Sequence, residues 1–560
     1  MTNGTNEADS IPGIANLFRS QFSSVFTRET LSAEDIVTAA NNVPRISSPS
    51  LRMSITSEMV TKAGKQIKSS TGCGPDGIPS LILKRCLGPL ATPLTTVFNL
   101  SLSSGIFPTC WKDSFVFPVH KKGCKRTVSN YRGIAALCAT SKLFEIIVLE
   151  TLFSRYSHNI SPEQHGFMPK RSTTTNLATF TSFIIREIEN GHQIDAIYTD
   201  LSAAFDKMNH EIALAKFDRM GIDNSLLTWL RSYLIGRNMS VKIGDFISSP
   251  ISVSSGVPQG SHLGPFLFLL YMNDVNNTLK CFKLSYADDL KLFLVIKDHA
   301  DAFFLQQQLE LFGAWCCINR MSLNVTKCSA ISFGRKRTLL HHNYSLFGTE
   351  LKRETTVKDL GVLLDSKLSF KEHVSHVVSK ASSQLGFILR FSKKFHDIYC
   401  LKALFCALVR PVPEYAAVIW SPYYQNDTHR IETVQRKFVR FALRKLPWRD
   451  PFNLPRYADR CKLINLELLE ARRNVAKACF VGDLLQGNID CHTLLGLLDI
   501  NTRRRDTRSL TFLHILPSRT NYGLNEPMRS MSRVFNRCYA VFDFNVSRVS
   551  NKNSFKTIFC

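Results

Sequence analysis

Two adjacent carboxylates, Asp288 and Asp289, interrupt the otherwise hydrophobic stretch SYADDLKLF at residues 285–293. Neighbouring negative charges repel each other, and they lose hydration when they are partly buried. A purely structural strand has little reason to carry such a pair. The stretch therefore predicts a fold that brings positive charge to this point.

A third acid, Asp200, follows the segment IDAIYT, which predicts a buried strand over residues 194–199. Both acidic positions come after short hydrophobic strands, and neighbouring strands would bring their carboxylates together. Three converging carboxylates require cations, and such hard oxygen ligands suit Mg²⁺, which Mn²⁺ could replace. Two ions about 3.5–4 Å apart would activate a 3′-hydroxyl and stabilise a leaving pyrophosphate. Each acid taken alone is more often a solvated turn residue, so the prediction depends on all three.

The charge of the chain points to a polyanionic partner. Its 560 residues include 70 Lys and Arg against 45 Asp and Glu, a formal charge of +25. This excess favours nucleic acid over an anionic membrane surface as the partner. The oligomeric state cannot be predicted from it.

Targeting and redox features are those of an intracellular protein. The apolar run PFLFLLYM is far shorter than the about 20 residues that a membrane span needs. The start MTNGTNEADS lacks the basic and apolar regions of a secretory signal. The 16 cysteines show no zinc-binding spacing, so we expect reduced thiols. We therefore predict a nuclear or cytoplasmic protein that is not secreted and does not enter a membrane.

Composition divides the chain into four regions. Residues 1–55, rich in Ser, Thr and Asn, predict a partly flexible leader with one short helix around IANLFRSQFSSVF. Residues 56–365 alternate helical and strand-like segments, which predicts an α+β or α/β catalytic body with its core at about 98–365. Residues 366–450 read as helical, and residues 451–560 form a basic region of unknown role.

Two amphipathic helices are predicted in these regions. The first places apolar residues on one face that would pack on a sheet: Ala302, Leu305, Leu309, Phe312 and Cys316. The second, VQRKFVRFALRKL, sets Val434, Phe438 and Phe441 against a basic side formed by Arg436, Lys437, Arg440, Arg444 and Lys445. A basic amphipathic helix can lie on a membrane or suit a calmodulin-like partner, but in a chain of this charge a phosphate-facing helix is favoured.

The motifs around the acids resemble a known family. YADD, preceded by TDLSAAFD and SSGVPQGSHLGPFLFLLYMND, is similar to the palm motifs of reverse transcriptases from jockey-type non-LTR retrotransposons. The likeness continues in the family's order through TGCGPDGIP, FPVHKKG, NYRGIA, QHGFMPKRST, SLNVTKC, VKDLGVLLDSKLSFKEH, EYAAVIW and IETVQRKFVR. It implies an α+β right-hand polymerase fold, with fingers and palm over residues 56–365, a thumb over 366–450 and a mostly helical C-terminal extension. It also implies an RNA template, a DNA primer and deoxynucleoside triphosphates as substrates.

The resemblance assigns roles to individual residues. Asp200, Asp288 and Asp289 would hold two metal ions, with Asp289 the more auxiliary ligand. Phe205 would be the steric gate that rejects a 2′-hydroxyl, although alone it reads as a core aromatic. The loop under the incoming nucleotide and the template base, where backbone must approach a ligand closely, would be formed by Gly256, Pro258, Gln259 and Gly260.

Four cations complete the implied site. Lys121, Lys122 and Arg132 would face the triphosphate, although each alone is more often a solvated surface charge. Lys327 lies where the family has a lysine that protonates pyrophosphate. Gly133 replaces the family's usual proline beside Arg132, which would loosen that phosphate contact, and TGCGPDG also departs from the usual residues before GPDG.

Alternatives to a working polymerase remain open at this level. We expect a polymerase portion that lacks the family's N-terminal endonuclease. A catalytically inactive remnant that still binds nucleic acid, or a maturase-like enzyme with the same chemistry and another substrate, would carry many of the same motifs.

Overall fold

The computed structural model describes residues 1–4, 6–27, 30–46, 53–445, 455–501 and 511–539, which form a mixed α and β protein. Its strands are β1 (Thr2–Asn3), β2 (Asn6–Glu7), β3 (Asp113–His120), β4 (Tyr131–Ala136), β5 (Gln193–Thr199), β6 (Arg237–Ile243), β7 (Phe246–Ile247), β8 (Ile251–Val253), β9 (Phe282–Tyr286), β10 (Asp289–Ile296), β11 (Ser329–Phe333), β12 (Ser345–Leu346), β13 (Thr349–Glu350), β14 (Lys352–Arg353), β15 (Thr356–Asp359), β16 (Val362–Asp365), β17 (Asp499–Ile500) and β18 (Leu513–His514). Its helices are α1 (Ile11–Ser23), α2 (Ala33–Ala40), α3 (Ser57–Gln66), α4 (Ser80–Arg85), α5 (Leu87–Ser104), α6 (Ala139–Tyr156), α7 (Thr173–Glu189), α8 (Ala204–Lys207), α9 (His210–Arg219), α10 (Asn224–Leu234), α11 (Gly264–Met272), α12 (Val275–Thr278), α13 (His299–Ile318), α14 (Lys371–Phe391), α15 (Ile398–Leu404), α16 (Pro411–Glu414), α17 (Ala417–Trp420), α18 (Gln425–Leu443), α19 (Tyr457–Leu463), α20 (Leu469–Leu485), α21 (His492–Leu495), α22 (Asn521–Leu524) and α23 (Pro527–Tyr539).

A five-stranded central sheet carries the acidic residues. Its order is β14-β11-β5-β10-β9, and β5 pairs antiparallel with both β10 and β11. The sequence of β5, QIDAIYT, is rich in β-branched and aromatic residues, and nearly all of it is buried, as suits a central strand. Helix α13 packs on β10, and its five predicted core residues are all buried, which confirms that prediction.

A second sheet faces the first across a cleft. Its order is β4-β3-β6-β7, with β8 paired to β6; β3 runs antiparallel to β4 and parallel to β6. Helix α1 covers one face of this sheet, and Phe18 and Phe22 pack into a core with Val116 and Val241. Aromatic side chains bury a large apolar area, so these contacts stabilise α1 on the sheet.

The short helix predicted in the N-terminal segment is present as α1, and it packs on the second sheet. The partial flexibility predicted for this segment stays a prediction. Ala15, Phe18 and Phe22 are spaced to form one apolar face of α1, and all three are buried. The Arg19 side chain also donates to the backbone carbonyls of Ser249 and Pro250. These contacts hold α1 in place, although the surrounding residues are rich in Ser, Thr and Asn.

The remainder of the described chain is mainly helical, as predicted for residues 366–450 and for the C-terminal extension. Helices α14 and α18 share a core that includes Leu385 and Phe438. Helices α20 and α23 pack on each other, and α23 also contacts α7 on the central sheet. The predicted boundaries at residues 55, 365 and 450 stay predictions, and the basic run NTRRRDTR lies almost wholly outside the described residues.

Candidate active site

The three predicted acids lie at one end of the central sheet. Thr199, the last residue of β5, pairs with Leu290 of β10, and continuing this register places Asp200 across from Asp289. Asp288 lies in the tight turn between β9 and β10, where Ala287 adopts a left-handed conformation with φ 60°. The structure thus brings together the carboxylates that the sequence places on separate strands.

These carboxylates repel one another in partly buried surroundings. Burial raises the pKa of Asp288, the charge of Asp200 adds to the effect, and Arg132 and Lys121 oppose it. Burial, followed by the charges of Asp288 and Asp200, raises the pKa of Asp289 to about 6. The cluster would therefore be stabilised by an additional positive charge.

Lys327 contributes a positive charge beside Asp200, a pairing that the sequence analysis did not anticipate. Its Nζ lies 3.2 Å from Oδ2 of Asp200. The segment before it is fixed to the same strand end, because the Asn324 amide donates to the Asp200 carbonyl oxygen at 2.8 Å. The predicted contact of Lys327 with pyrophosphate stays a prediction; in this structure the lysine pairs with a carboxylate.

The acids fit a divalent cation by charge and by donor type. Carboxylate oxygens are the ligands that Mg²⁺ prefers, and a cation would relieve the repulsion that raises two of the pKa values. Over the described ranges of the chain, no three His, Cys, Asp or Glu side chains already converge closely enough to enclose a metal ion. In this structure the Asp200 carboxylate is paired with Lys327.

A buried ion pair lies beside Asp289. Lys291, on the same strand, places its Nζ 2.5 Å from Oδ2 of Asp359 at the end of β15. The Tyr198 hydroxyl donates to the same carboxylate at 3.3 Å. The pair holds the β15–β16 hairpin against the sheet next to the acids, a contact between distant segments that no sequence motif indicates.

A cleft of about 790 Å³ joins the acids to most of the predicted nucleotide-binding residues. Besides the three acids, the predicted residues that line it are Lys121, Arg132, Phe205, Pro258, Gln259, Gly260 and Lys327. Lys122 is exposed on the turn after β3 and is not part of this lining. The resemblance had grouped these residues together with Gly256, and the structure assembles all of them except Lys122 and Gly256 around one space.

Phe205 forms part of the cleft floor beside Asp200. Its ring stacks on Phe268 with centroids 4.3 Å apart and meets Phe167 edge-on at 5.8 Å. The side chain is half-buried, so one part packs in the core and another lines the cleft. Its two interpretations, core aromatic and steric gate, are therefore compatible.

Glycines allow the loop at residues 256–260 to approach neighbouring backbone closely. Gly256 has φ +82°, and a Cβ there would lie 2.4 Å from the carbonyl oxygen of Phe205. Gly260 has φ +122°, and its Cβ would lie 2.6 Å from the carbonyl oxygen of Ala135. A residue with a side chain at either position would have a strained backbone, and its Cβ would push away neighbouring backbone at the cleft.

Cations also line the cleft. Burial, followed by the charges of Arg132, Lys122 and Lys327, lowers the pKa of Lys121. Arg132 lies on β4, opposite Val119 of β3. Such a concentration of like charge is costly unless an anion neutralises it, as a triphosphate would.

Sequence reasoning missed two contributions to the cleft. Gln21 and Phe22 of α1 form part of its wall, and a Cβ on Gly133 would lie 2.7 Å from Val116 and 3.4 Å from the Phe22 ring. The glycine in NYRGIA thus accompanies close packing of α1 on β4. Asp206 also lines the cleft, and its position in TDLSAAFD was the available signal for it.

The predicted basic helix is present, but its cations do not share one surface. Lys437, Arg440 and Arg444 are exposed along one side of α18. The Arg436 guanidinium instead packs 4.5 Å from the centre of the Tyr457 ring, and Lys445 lies beyond the helix, where its Nζ donates to the Lys393 carbonyl oxygen. A phosphate-facing surface would therefore involve three of the five predicted residues.

The fold and the cleft together define a class of protein. Acids from the ends of adjacent antiparallel strands, a glycine-bearing loop and a cationic wall around one cleft are features of nucleotidyltransferases with the polymerase fold. Residues 119–364 match the family described as reverse transcriptase (RNA-dependent DNA polymerase).

Curated relatives narrow this class. The chain is 27% identical to the probable RNA-directed DNA polymerase from transposon X-element of Drosophila melanogaster, over 66% of this chain and 41% of that protein. It is 26% identical to the RNA-directed DNA polymerase from mobile element jockey of the same species, over 68% of this chain and 44% of the relative. Residues 119–364 therefore form a domain that is similar to the reverse transcriptases of non-LTR retrotransposons. The chain spans less than half the length of the relatives that it matches.

No helix within the described ranges is both long enough and apolar enough to cross a membrane.

Proposed function

We propose that this chain is an RNA-directed DNA polymerase that extends a 3′-hydroxyl primer with deoxynucleotides on an RNA template, as part of a non-LTR retrotransposon. The observation that carries the proposal is the single cleft lined by Asp200, Asp288, Asp289, Lys121 and Arg132. The names of the relatives support it, because the jockey and X-element proteins are described as RNA-directed DNA polymerases.

In this proposal the residues of the cleft bind and orient the nucleotide. Lys121 and Arg132 would hold the triphosphate, Lys121 as a point charge and Arg132 as a forked donor. Phe205 would support the sugar from below and clash with a 2′-hydroxyl. Pro258, Gln259 and Gly260 would border the base pair that forms between the nucleotide and the template.

Asp200, Asp288 and Asp289 would hold two Mg²⁺ ions. When bound, these ions would supply Lewis-acid activation of the primer hydroxyl and neutralise charge on the departing pyrophosphate. Lys327 would leave Asp200 when the carboxylate takes up a metal ion, and its ammonium group would then be available to donate a proton to the pyrophosphate. Lys122 would reach the triphosphate only if the turn after β3 closes over the cleft.

The parts of a right-handed polymerase can be assigned within the same proposal. The central sheet would be the palm, the second sheet and the helices before it the fingers, and α14–α18 the thumb. The exposed Lys437, Arg440 and Arg444 would contact phosphates of the template and primer. The net charge of +25 supports binding to nucleic acid over a surface larger than the cleft.

The test is primer extension by purified protein on an RNA template with Mg²⁺ and all four deoxynucleotides. Template-dependent extension is the expected result. Binding of the template and primer without any extension in Mg²⁺ or Mn²⁺ would instead identify an inactive nucleic-acid-binding remnant.

A further inference from the structure

Asp206 is a cleft residue that has no role in the proposed mechanism so far. It lies in the short helix α8, which follows Asp200 directly after the left-handed Ala203. Its carboxylate turns toward the loop at residues 256–260, where both of its oxygens lie 2.8 Å from Nε2 of Gln259. Burial raises the pKa of Asp206 to about 6, so the group is an anion at neutral pH.

This contact determines which atom Gln259 can present to a ligand. A carboxylate only accepts hydrogen bonds, so it selects the amide orientation in which the Gln259 nitrogen faces Asp206. The carbonyl oxygen Oε1 is then the atom that the side chain can offer to the cleft. A ligand group bound there must be a donor, such as a hydroxyl or an amino group.

Backbone hydrogen bonds hold the Asp206 and Gln259 side chains next to each other. The Gln259 carbonyl oxygen accepts from the Ala135 amide at 2.9 Å, which ties the loop to β4. On the other side, the Ser255 hydroxyl donates to the Asp206 carbonyl oxygen at 2.7 Å. With both main chains fixed, the orientation of the Gln259 amide depends on the Asp206 carboxylate.

We infer that Asp206 is a positioning residue that acts through Gln259, fixing its amide so that Oε1 accepts a hydrogen bond from the incoming nucleotide. This inference rests on the proposed polymerase function. It adds a determinant of nucleotide binding that is separate from the metal-binding acids.

The test is a double-mutant cycle of Asp206→Asn and Gln259→Ala in steady-state primer extension. The amide introduced by Asp206→Asn could face Gln259 through either its oxygen or its nitrogen, so the Gln259 side chain would lose its fixed orientation. We expect Asp206→Asn to raise KM for deoxynucleotides about tenfold, equivalent to about 1.4 kcal/mol, with kcat changed by less than about twofold. In the Gln259→Ala background the same change should have no further effect, because the residue through which Asp206 acts is gone.

Controls separate this inference from the function on which it rests. Asp218→Asn changes an exposed carboxylate on α9 and should match the wild type, and thermal unfolding of each variant monitors the fold. If the wild type does not extend primers, the proposed function fails. If the wild type extends them but Asp206→Asn leaves KM unchanged, or raises it equally in both backgrounds, the inference is wrong and the proposed function stands.

A reciprocal exchange provides a second measurement. Gln259→Glu places two carboxylates in contact and should weaken nucleotide binding strongly. Adding Asp206→Asn restores a hydrogen bond between the pair, with the donor on the opposite side, and leaves an oxygen of the new glutamate to accept from the nucleotide. The double variant should therefore bind deoxynucleotides more tightly than Gln259→Glu alone, and equal or weaker binding would overturn the inference.

Discussion

Replacing Gly256 by alanine should damage the cleft more than it damages the fold in general. Gly256 has φ +82°, and an added Cβ would lie 2.4 Å from the Phe205 carbonyl oxygen and 2.6 Å from Cα of Asp206. A left-handed conformation costs an alanine about 1–2 kcal/mol. The Cβ contacts add to this, because the atoms at 2.4 Å must separate by about 1 Å to reach ordinary van der Waals contact.

Hydrogen bonds on both sides prevent the loop from moving away freely. The Gly256 amide donates to the Met208 carbonyl oxygen at 2.7 Å, and the His210 ring nitrogen Nε2 lies 2.8 Å from the Gly256 carbonyl oxygen. The strain should therefore reach the turn that carries Phe205. We expect Gly256→Ala to lower the free energy of unfolding by about 2–4 kcal/mol and to raise KM for deoxynucleotides at least tenfold.

Gly191 provides a matched control for the conformational cost alone. It has φ +81°, but a Cβ there would meet nothing within 4 Å. Gly191→Ala should lower the free energy of unfolding, measured by chemical denaturation, by only about 1–2 kcal/mol and should leave KM for deoxynucleotides unchanged. If Gly256→Ala were as stable and as active as Gly191→Ala, the close approach of this loop to Phe205 and Asp206 would be wrong.

Three further predictions concern the cleft, the charge and the core. Phe205→Ala should incorporate ribonucleotides, because the volume of the ring excludes the 2′-hydroxyl; an unchanged preference for deoxynucleotides in competition assays would remove the gate role. Template affinity should fall by about 10³ or more between about 50 and 200 mM salt if six or so phosphates are contacted. An affinity that does not change with salt would mean that the excess of Lys and Arg does not serve template binding. Burial lowers the pKa of His165 to about 3, so the folded protein binds fewer protons than the unfolded chain below about pH 6.5, and stability is lost as pH falls. Between pH 7 and 5 this histidine should cost the wild type about 2 kcal/mol of unfolding free energy, a loss that His165→Gln should not show in denaturant titrations.

The strand that leads to Asp200 and the apolar face of α13 follow from local sequence patterns. IDAIYT predicts a buried strand over residues 194–199 with Asp200 directly after it, and the observed strand β5 also ends at Thr199. The apolar face of α13 follows from helical spacing alone. Such features are predictable because each depends on residues that are neighbours in the chain.

Other features depend on contacts between distant segments. The pairing of Lys327 with Asp200 requires the turn after α13 to lie at the end of β5, which no local pattern reveals. Helix α1 has a clear apolar face, but the sheet that it covers is formed by residues more than ninety positions later. The helical position of Arg436 predicts a place on the phosphate-facing side, whereas in the structure its guanidinium packs on the Tyr457 ring.

The proposed active site is tested most directly by primer extension and template binding measured together for Asp288→Ala. Asp288 contributes a carboxylate to the acidic cluster, and its loss should prevent metal binding while the phosphate-binding surface stays intact. We predict that extension on RNA falls below detection while the affinity for the template and primer stays within about twofold of the wild type, and that Asp218→Ala retains both properties. Extension by Asp288→Ala near the wild-type rate would contradict the assignment of these acids as the catalytic centre.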